Sequence, residues 1–578
     1  MDQLFQRLAF AFILFSITLQ SQEVNSEIGH PFKSLKTDSY LGHVDYDSES
    51  KITSLYYVEK NVFKTIFTTY RFDKDLQFID EKIEEYSLRD QVEDAVENFS
   101  WFSYKGDELI DEIIMINSNL KGELIARKAR WVRTYNWNFG LYIPKFEYLD
   151  DVKIKGLDGD RIYLYDRFYN RETEENILLL GIKPPKGETK NARFQHARKF
   201  QLLKINSNLE TEFGEIIEFD TNRAISFIGS LTSNLERENS SEMDLSQGNI
   251  SIVLTPVKSL LGKKWQSDHP EKHTMLVINA EGKIESRIDF DAPTSGWVIQ
   301  DLVVSNEGKD VYYFGPAKDG SYVNMLTPTK SPLTSRAETK DIKFKNFQVM
   351  KISNNQLEWI NNTDLKDFKA KSVTPPSQRK SPDYIGKNFI NTMTYVTKSG
   401  ELFIAGQKFK TDDKNEKNPD GSPILEYTYK DLVMFHFDNK GGLKSQYGIK
   451  RDKNNKHAKS QLTPQYLYEN KEGDQVYWVY GEIKGLRFGL EVGNALKIAG
   501  VNSISKRKLL FYPTVAKIDL EKGKMGDFVP LGANADGKQK YFTNPAFPQF
   551  MTTDQSKLIF IGEDRKGSLV WLANMNIE

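Results

Sequence analysis

Seven histidines are the first candidates for chemistry in this chain of 578 residues: His30, His43, His196, His269, His273, His436 and His457. Only His269 and His273 are close in sequence, and their i, i+4 spacing would align them on a helix, as a metal pair requires. Pro270 lies between them, however, and Glu271 is not at the position that an HExxH mechanism uses. The pattern therefore predicts a solvated loop rather than a metal site.

Other catalytic patterns are equally weak. The chain has no GxSxG elbow and no Walker A loop, and Ser48 and Lys51 match an SxxK motif only within a short polar turn. The segment 412–421 is rich in oxygen ligands, but Lys417 puts a cation where a calcium ligand belongs. With 0 cysteines, thiolate zinc sites, thiol nucleophiles and disulfides are excluded. We predict no catalytic residue, cofactor or metal, while a carboxylate pair formed by distant segments stays open.

The charge balance argues against one class of partner and leaves another open. With 79 basic and 80 acidic side chains, the chain lacks the basic excess of a nucleic-acid binder. Residues 73–97 nevertheless carry 10 acids and 3 bases, whereas residues 326–388 carry 12 bases and 6 acids. Such segments are either solvated loops or surfaces that steer a partner of opposite charge.

Two segments are candidate interfaces. In the stretch 131–142, the rings at 135, 137 and 139 alternate with asparagines, which would place them on one face of a strand. They either pack between structural repeats or anchor a partner, and flanking arginines favour an interface. The second segment is a basic loop. The candidate interface residues are Arg130, Trp131, Arg133, Tyr135, Trp137, Phe139, Lys450, Arg451, Lys453, Lys456 and Lys459.

The N-terminus predicts export. Arg7 precedes an apolar run from Leu8 to Leu19, and these 12 residues would rise only about 18 Å as a helix, too short for a hydrocarbon core of about 30 Å. The run, followed by Ser21 and a polar stretch, predicts a signal peptide over residues 1–21. No later stretch is apolar enough to span a membrane. We therefore expect the mature chain, 22–578, in the periplasm.

The remaining chain repeats a strand–turn–strand unit. The sequence at 116–120, INSNL, recurs at 205–209, and similar strand–turn–strand units with different residues recur along the chain. Apolar residues make up 39% of the chain, which is enough for a core. Eight candidate units of about 70 residues predict an all-β fold, a single β-propeller of seven or eight four-stranded blades. We expect segment 30–47 to close the ring as the missing strand. The alternative is two stacked β-domains divided near 364–388.

Three or four of these units carry a family resemblance, and two of them show it here. The stretches VVSNEGKDVYYFG at 303–315 and TTDQSKLIFIGEDRKGSLVWLAN at 552–574 resemble the strand pairs of TolB-like (PD40-type) β-propellers, although the full Ser-Pro-Asp-Gly turn is absent. The resemblance implies an envelope protein whose partner is another envelope protein, such as an outer-membrane β-barrel or a translocon.

These observations favour a binding function. Long insertions are predicted as loops at 326–345, 364–388, 408–429 and 484–513, and loops of this length are typically functional. We predict a non-catalytic propeller, periplasmic or associated with the outer membrane, that serves as an accessory or plug subunit of a secretion translocon of the type IX kind. The alternative is a carbohydrate-binding or carbohydrate-active propeller that uses the 131–142 aromatic residues or paired acids.

Overall fold

The structure, a computed structural model, describes most of the chain from residue 24 onwards. The described residues are 24–31, 39–60, 64–87, 108–118, 123–136, 141–183, 196–232, 245–259, 265–267, 272–294, 296–305, 308–318, 343–417, 423–451, 455–491, 504–534 and 536–577. They form seven β-sheets with almost entirely antiparallel pairing, which confirms the prediction of an all-β protein. The predicted signal peptide, 1–21, lies outside the described residues.

The first strands form two small sheets after an N-terminal strand that pairs elsewhere. Strand β1 is Val24–Pro31. Sheet 1 pairs β2 to β5 in chain order: Ser39–Asp47, Ile52–Lys60, Lys64–Phe72 and Phe78–Ser87. Sheet 2 pairs β6 to β8: Glu108–Ser118, Leu124–Asn136 and Leu141–Ile154. Alternating apolar residues rich in Val, Ile, Tyr and Phe explain the strand conformation.

Sheet 3 has eight strands, and one long strand belongs to both of its halves. Strands β9 to β16 are Ile162–Asn170, Glu175–Ile182, Ala197–Ile205, Thr211–Ser230, Ile250–Ser259, Trp265–Ser267, His273–Ile278 and Ile284–Phe290. A short 3₁₀ helix, Leu245–Gln247, precedes β13. The first part of β12 pairs with β11 and the second part pairs with β13, and Arg223 is paired in both ladders. Two four-stranded halves therefore share one long strand.

Sheets 4 and 5 are joined by a short helix. Sheet 4 contains β17 to β20: Asp301–Ser305, Asp310–Ala317, Asn346–Ser353 and Gln356–Asp364. Helix α1, Leu365–Ala370, follows at once. Sheet 5 contains β21 to β25: Ser372–Val373, Phe389–Val396, Leu402–Lys417, Pro423–Phe437 and Leu443–Ile449. The short β21 pairs in parallel with the outer strand β25.

Sheets 6 and 7 complete the described fold. Helix α2, Lys456–Ser460, precedes sheet 6. Sheet 6 contains β26 to β30: Gln465–Glu469, Gln475–Glu491, Ile504–Asp519, Lys524–Met525 and Val529–Pro530. Sheet 7 contains β31 to β34, which are Tyr541–Thr543, Gln549–Met551, Lys557–Asp564 and Leu569–Asn576, together with β1.

The core consists of separate apolar layers between neighbouring sheets. Period-two alternation lets one strand serve two layers, so that Phe435 of β24 packs towards sheet 4 while Met434 packs towards sheet 6. The layers follow chain order: sheet 2 on sheet 3, the halves of sheet 3 on each other, then sheets 3 and 4, 4 and 5, 5 and 6, 6 and 7, and finally 7 and 1. The last sheet thus packs on the first.

The N-terminal strand lies earlier than predicted. Strand β1 pairs antiparallel with β34, with Ile28 opposite Leu572, whereas Ser39–Asp47 begins sheet 1. Of the predicted segment 30–47, only its first two residues belong to the strand that joins the last sheet. The bounds were predicted too late in the chain, because the need for a closing strand does not specify which N-terminal segment supplies it.

The predicted long loops at 408–429 and 484–513 are mostly strand. Strands β23 and β24 remain paired out to Lys417 and Pro423, beyond their neighbours, and β27 and β28 remain paired out to Glu491 and Ile504. Both insertions are two-stranded ribbons, because their backbone groups pair with each other. Insertion 326–345 lies largely outside the described residues. Among those that are described, we find no helix that is both long enough and apolar enough to cross a bilayer.

Candidate functional site

A polar cleft lies between sheets 4 and 5, where the last residues of β20, helix α1 and the β24–β25 turn meet. It encloses about 530 Å³, within the usual range for a small-molecule site. The residues that line it are Asn361, Asn362, Thr363, Asp367, Lys371, Asp438, Lys440, Gly441, Gly442 and Leu443. The segment 364–388, one of the predicted inter-domain boundaries, therefore forms a wall between packed sheets.

The β24–β25 turn forms one wall, and its geometry follows from its sequence. Asp438 Oδ1 accepts hydrogen bonds from the backbone N–H groups of Lys440, at 2.9 Å, and Gly442, at 2.8 Å. Gly441 adopts a φ of +77°, and a Cβ there would lie 2.3 Å from the ring of Trp359. Both the conformation and the close ring contact require glycine. The turn is thereby held against the outer strand of sheet 4.

Helix α1 forms the opposite wall. Asp364 caps it by accepting a hydrogen bond from Lys366 N at 3.3 Å, and Phe368 anchors it because its side chain is fully buried between sheets 4 and 5. Two side chains then connect this wall to the turn. Asn361 Nδ2 donates to the carbonyl of Lys440, and Lys371 Nζ donates to the carbonyl of Leu443. The cleft is therefore braced from both sides.

Four charged side chains line the cleft, two of each sign. Asp367 and Asp438 are partly buried, whereas Lys371 and Lys440 are exposed. In the part of the chain that the structure describes, none of the four forms an ion pair within 4.0 Å. Two carboxylates and two ammonium groups therefore line one small space without ion pairs among them, although Asp438 accepts two backbone hydrogen bonds and Lys371 donates to a backbone carbonyl.

A second polar cluster lies on the other face of the same hairpin, between sheets 5 and 6. Glu401 accepts from His436 Nε2 at 2.8 Å and from Lys444 Nζ at 2.7 Å. Lys444 Nζ also donates to the carbonyl of Leu520 in sheet 6, at 3.1 Å. His436 is fully buried and its ring stacks on Phe403, with centroids 4.1 Å apart. The cluster joins the two sheets but opens to no described cleft.

The pKa directions fix the protonation of this cluster. Burial lowers the pKa of His436, and the hydrogen bond that it donates to Glu401 opposes this without reversing it. Burial opposes ionisation of Glu401, but hydrogen bonds to His436 and Lys444 lower its pKa overall. Neutral His436 therefore donates its Nε2 proton to an ionised Glu401. This arrangement is structural, since burial keeps the imidazole from any reactant.

The predicted basic loop separates into exposed lysines and a buried arginine. Arg451 is only 7% exposed. Its Nη2 contacts Glu482 Oε1 at 3.2 Å, its Nη1 donates to the carbonyl of Ala458, and its backbone N–H donates to Asp431. Arg451 thus joins sheet 5 to sheet 6 and is not available as an interface residue, because ion pairing and helix α2 surround it.

The other members of the loop remain open to solvent or lie outside the description. Lys450, Lys456 and Lys459 are exposed, and Lys453 lies outside the described residues. Of the three described lysines, none lines the cleft. Sequence alone could not separate Arg451 from them, because a run of basic residues carries no sign of which side chain turns inward.

The predicted aromatic strip is described only in part. Arg130 lies in β7 and pairs with Glu147 of β8, at 2.7 Å between Nη2 and Oε2. Trp131, Arg133 and Tyr135 belong to β7 by backbone, whereas Trp137 and Phe139 lie outside the described residues. The strand assignment is therefore confirmed as far as position 136, and the exposure of the rings stays a prediction.

The predicted solvated loop is wrong at His273, which is buried in a strand. His273 lies in β15, where its Nδ1 is 3.1 Å from Thr255 Oγ1, and His269 lies outside the described residues. Over the described ranges, we find no group of three or more His, Asp or Glu side chains arranged to hold a metal ion.

Sequence reasoning missed the cleft. Its charged residues come from two segments about 70 positions apart, and each segment looks like an ordinary turn or linker. One signal was present in the glycine pair 441–442 after an aspartate, which marks a tight turn. The amino-acid sequence does not show that this turn contacts helix α1.

Comparisons with known proteins give structural neighbours only. No family model matches the chain, and no curated protein matches it. Among solved structures, a variant of Synechocystis apocarotenoid oxygenase matches at 11% identity, over 96% of this chain and 94% of that one, with a TM-score of 0.23. Cobalt-substituted Synechocystis ACO matches with the same identity and coverage at a TM-score of 0.24. A trigonal crystal form of an ACO/RPE65 chimera matches at 10% identity, over 79% and 85% of the two chains, with a TM-score of 0.24.

These neighbours correct the predicted function. They are oxygenases, not components of a secretion translocon or an outer-membrane complex, so the prediction of a non-catalytic propeller for protein secretion and transport is wrong. Its carbohydrate alternative is not retained either. At TM-scores of 0.23 and 0.24, the likeness assigns no activity, substrate or metal to this chain. The TolB-like resemblance stays untested.

Proposed function

We propose that the described sheets form one β-propeller of eight units, in which sheet 3 contributes two. Three observations support this arrangement. The apolar layers follow chain order and lead from sheet 7 back to sheet 1. Strand β12 is shared between the two halves of sheet 3. Strand β1 supplies the outer strand of the last sheet, so the two ends of the chain close one unit.

Hydrogen bonds between edge strands of successive sheets support the same arrangement. Asn391 Nδ2 of sheet 5 donates to Asp301 of sheet 4 at 3.1 Å, and Gln465 Nε2 of sheet 6 donates to Thr392 of sheet 5 at 2.7 Å. Gln549 of sheet 7 continues the series by donating to a tyrosine hydroxyl of sheet 6 at 3.1 Å. Contacts of this kind between successive sheets are expected if β17, β22, β26 and β32 are inner strands around a common axis.

The cysteine-free sequence allows a direct test of closure. The double variant Ile28→Cys/Leu572→Cys places thiols on paired positions of β1 and β34. We expect a disulfide to form on oxidation and to raise the melting temperature, because it closes a loop of almost the whole chain. A control pair, Ile28→Cys/Leu558→Cys, should stay reduced. Equal oxidation of both pairs would contradict the register.

We propose further that the chain is a binding protein for a small zwitterionic ligand. The observation that carries this proposal is the cleft of about 530 Å³ lined by Asp367, Asp438, Lys371 and Lys440 without ion pairs among them. A ligand that carries one ammonium and one carboxylate, such as an amino acid or a short peptide, would meet opposite charges on both of its ends. Asn362 and Thr363 add hydrogen-bonding groups that fix its orientation.

Isothermal titration calorimetry tests this proposal. The panel contains an equimolar mixture of free amino acids, a dipeptide mixture, a neutral disaccharide, inorganic phosphate and a diamine. We expect only the zwitterions to bind, since each of the others leaves charged groups of the cleft unmatched. Binding of the disaccharide alone, or of nothing in the panel, would overturn the proposal.

Two variants that each remove one charge from the cleft test whether the ligand binds there. Lys440→Gln and Asp367→Asn should each weaken zwitterion binding at least about fivefold, because each removes one charge contact of about 1 kcal/mol or more. Lys369→Gln is the matched control, since Lys369 is exposed on the same helix but does not line the cleft. An equal loss in the control variant would show that the ligand binds elsewhere. Export by residues 1–21 and an envelope partner stay predictions.

A further inference from the structure

Three chain segments meet beside the start of β19, the end of β20 and the start of β22: 343–345, 364–366 and 385–387. Phe344 N donates to the carbonyl of Gly386 at 2.8 Å, and Leu365 N donates to the carbonyl of Lys345 at 3.0 Å. Gly386 has a φ of +77°, and a Cβ there would collide with the carbonyl oxygen of Phe344. The close approach therefore requires glycine, and it holds the three segments side by side.

Four lysines lie in these segments and are exposed. Within the described residues, none of the side chains of Lys343, Lys345 and Lys387 forms an ion pair. Lys366 is exposed as well, and its Nζ is 3.6 Å from Asp364 Oδ2 at the start of helix α1. Three of the four ammonium groups therefore have no carboxylate beside them in the described part of the chain.

Positive charge exceeds negative charge in this lysine cluster. The four lysines against Asp364 give 4 − 1 = +3. The next acid along the chain, Asp383, interacts with Lys408, which lies outside the cluster, and counting both leaves the excess unchanged. Ile385 lies in the same segment as Lys387 and is 44% exposed. The surface thus combines an excess of cations with a large apolar side chain.

From this surface we infer that the lysine cluster docks the protein on an anionic lipid bilayer, with Ile385 entering the headgroup region. The surface potential of such a bilayer attracts lysines whatever the arrangement of the headgroups. Bidentate recognition of a carboxylate in a protein partner favours arginine, and the three segments contain none. The exposed isoleucine adds apolar contact at the boundary between headgroups and acyl chains.

The lysine cluster shares no residue with the cleft, although helix α1 contributes to both. Asp367 of the helix lines the cleft, whereas Lys366 belongs to the cluster. The two proposals can therefore fail separately, because the membrane test contains no small ligand and the calorimetric test contains no lipid.

Vesicle flotation tests the inference. Residues 22–578 contain every described strand and lack the apolar run 8–19, which would bind any bilayer by itself. Vesicles of equal parts phosphatidylglycerol and phosphatidylcholine should carry this protein upwards, and less of it as salt increases, because salt screens the attraction. Vesicles of phosphatidylcholine alone should bind at least about tenfold less protein. Equal flotation with both would overturn the inference.

A fluorescein-labelled polyglutamate peptide distinguishes a protein partner from a lipid surface. At the salt concentration at which the mixed vesicles bind, fluorescence anisotropy should show no saturable binding of the peptide. Saturable binding, with or without vesicle binding, would mean that the cluster recognises acidic protein segments, and the inference would be wrong.

Two double variants with the same change in net charge locate the docking surface. Lys343→Gln/Lys387→Gln should weaken binding to the mixed vesicles at least about tenfold, since it removes half of the lysines of the cluster. Lys283→Gln/Lys524→Gln is the matched control, because both lysines are exposed and lie in sheets 3 and 6 or their turns. An equal loss in the control would show a general electrostatic effect and would sink the inference.

A last pair of variants tests the apolar contact. Ile385→Ser should weaken binding to the mixed vesicles about fivefold while leaving its salt dependence in place, whereas Ile385→Leu should retain binding. Thermal melts of all variants should match the wild type, because each side chain is exposed. Unchanged binding by Ile385→Ser would contradict the entry of Ile385 into the headgroup region.

Discussion

Sheets 1 and 5 differ in how their outer edge strands are covered. In sheet 5, the outer strand β25 is paired in parallel with β21 and packed against helix α1, and nearly all of its side chains are buried. In sheet 1, no described strand pairs with the outer edge of β5, and its isoleucines are exposed. An inserted segment therefore covers the edge of sheet 5, whereas no described segment covers the edge of sheet 1.

The covering segment of sheet 5 also creates the polar cleft. Helix α1 supplies Asp367 and ends beside Lys371, and the turn that it faces supplies Asp438 and Lys440. Protection of an edge and formation of a candidate binding site therefore result from the same insertion. The comparison predicts that sheet 5 depends on a few buried anchors, whereas sheet 1 tolerates change.

The largest effect is expected at the anchor of helix α1. Phe368→Ala should reduce the free energy of unfolding by about 3–5 kcal/mol, because Phe368 is fully buried among aromatic rings between two sheets. Phe78→Ala in β5 should cost about 1 kcal/mol, since that ring is partly exposed. Chemical denaturation measures both. Equal costs would mean that α1 does not hold the edge of sheet 5.

A smaller effect is expected at the turn of the cleft. Gly441→Ala should cost about 2–4 kcal/mol, because it adds a residue at positive φ and forces a Cβ into the ring of Trp359. Gly159→Ala is the matched control between sheets 2 and 3. Its φ is +76°, but its Cβ would meet nothing within 4 Å. We expect about 1 kcal/mol there, and an identical cost at both sites would disprove the ring contact.

Next come the ion pairs of the two sheets. Glu401→Gln should cost about 1.5–3 kcal/mol in denaturant unfolding at neutral pH, because it weakens charge-assisted hydrogen bonds to His436 and Lys444 in a partly buried site. Glu84→Gln in sheet 1 breaks an exposed pair with Lys82 and should cost less than about 0.5 kcal/mol. A larger cost for Glu84→Gln would reverse the comparison.

The same cluster predicts a pH dependence. The pKa of His436 is lowered below its ordinary 6.5, so the unfolded chain binds a proton more readily than the folded chain does. The stabilisation is complete above about pH 6.5 and declines as the pH falls towards the lower folded value. His436→Gln should therefore flatten the loss of stability between pH 7 and 5.

Its control is His457→Gln, since His457 is exposed on helix α2. That variant should keep the wild-type slope in urea melts recorded across the same pH range. A parallel flattening in the control variant would show that the slope has another origin.

The smallest effect is expected at the open edge itself. Ile83→Ser should change the free energy of unfolding by no more than about 0.5 kcal/mol, because the side chain is 52% exposed. The thermal melt should be unchanged within error. A large destabilisation would show that β5 is buried in solution.

The repeating units could be predicted because turn chemistry is local. Asn206 Oδ1 accepts from the backbone of Asn208 and Glu210, and Asp438 makes the equivalent contacts in its own turn. Asn354 adopts a φ of +48° between β19 and β20. Each of these turns was predicted from the residue type, since asparagine and aspartate bond to their own backbone or tolerate positive φ.

The partners of each strand could not be predicted in the same way. The pairing of β1 with β34 joins residues more than 500 positions apart, and the prediction placed the closing strand at 30–47 rather than at Val24–Pro31. In the sequence, Arg451 could not be distinguished from the neighbouring lysines, whereas in the structure it is buried by contacts with α2 and Glu482. Alternation specifies that a strand has an apolar face, but it does not say which sheet that face meets.

The sequence by itself determined an all-β chain of strand–turn–strand units, because period-two alternation and turn residues act over a few positions. Only the tertiary structure decided which edges are covered, which charges face a cleft and which arginine is buried. The cleft exists because Gly441 lets the β24–β25 turn approach Trp359 while Phe368 holds α1 against sheet 5. Both contacts join distant segments, and their free energy appears only when the sheets pack.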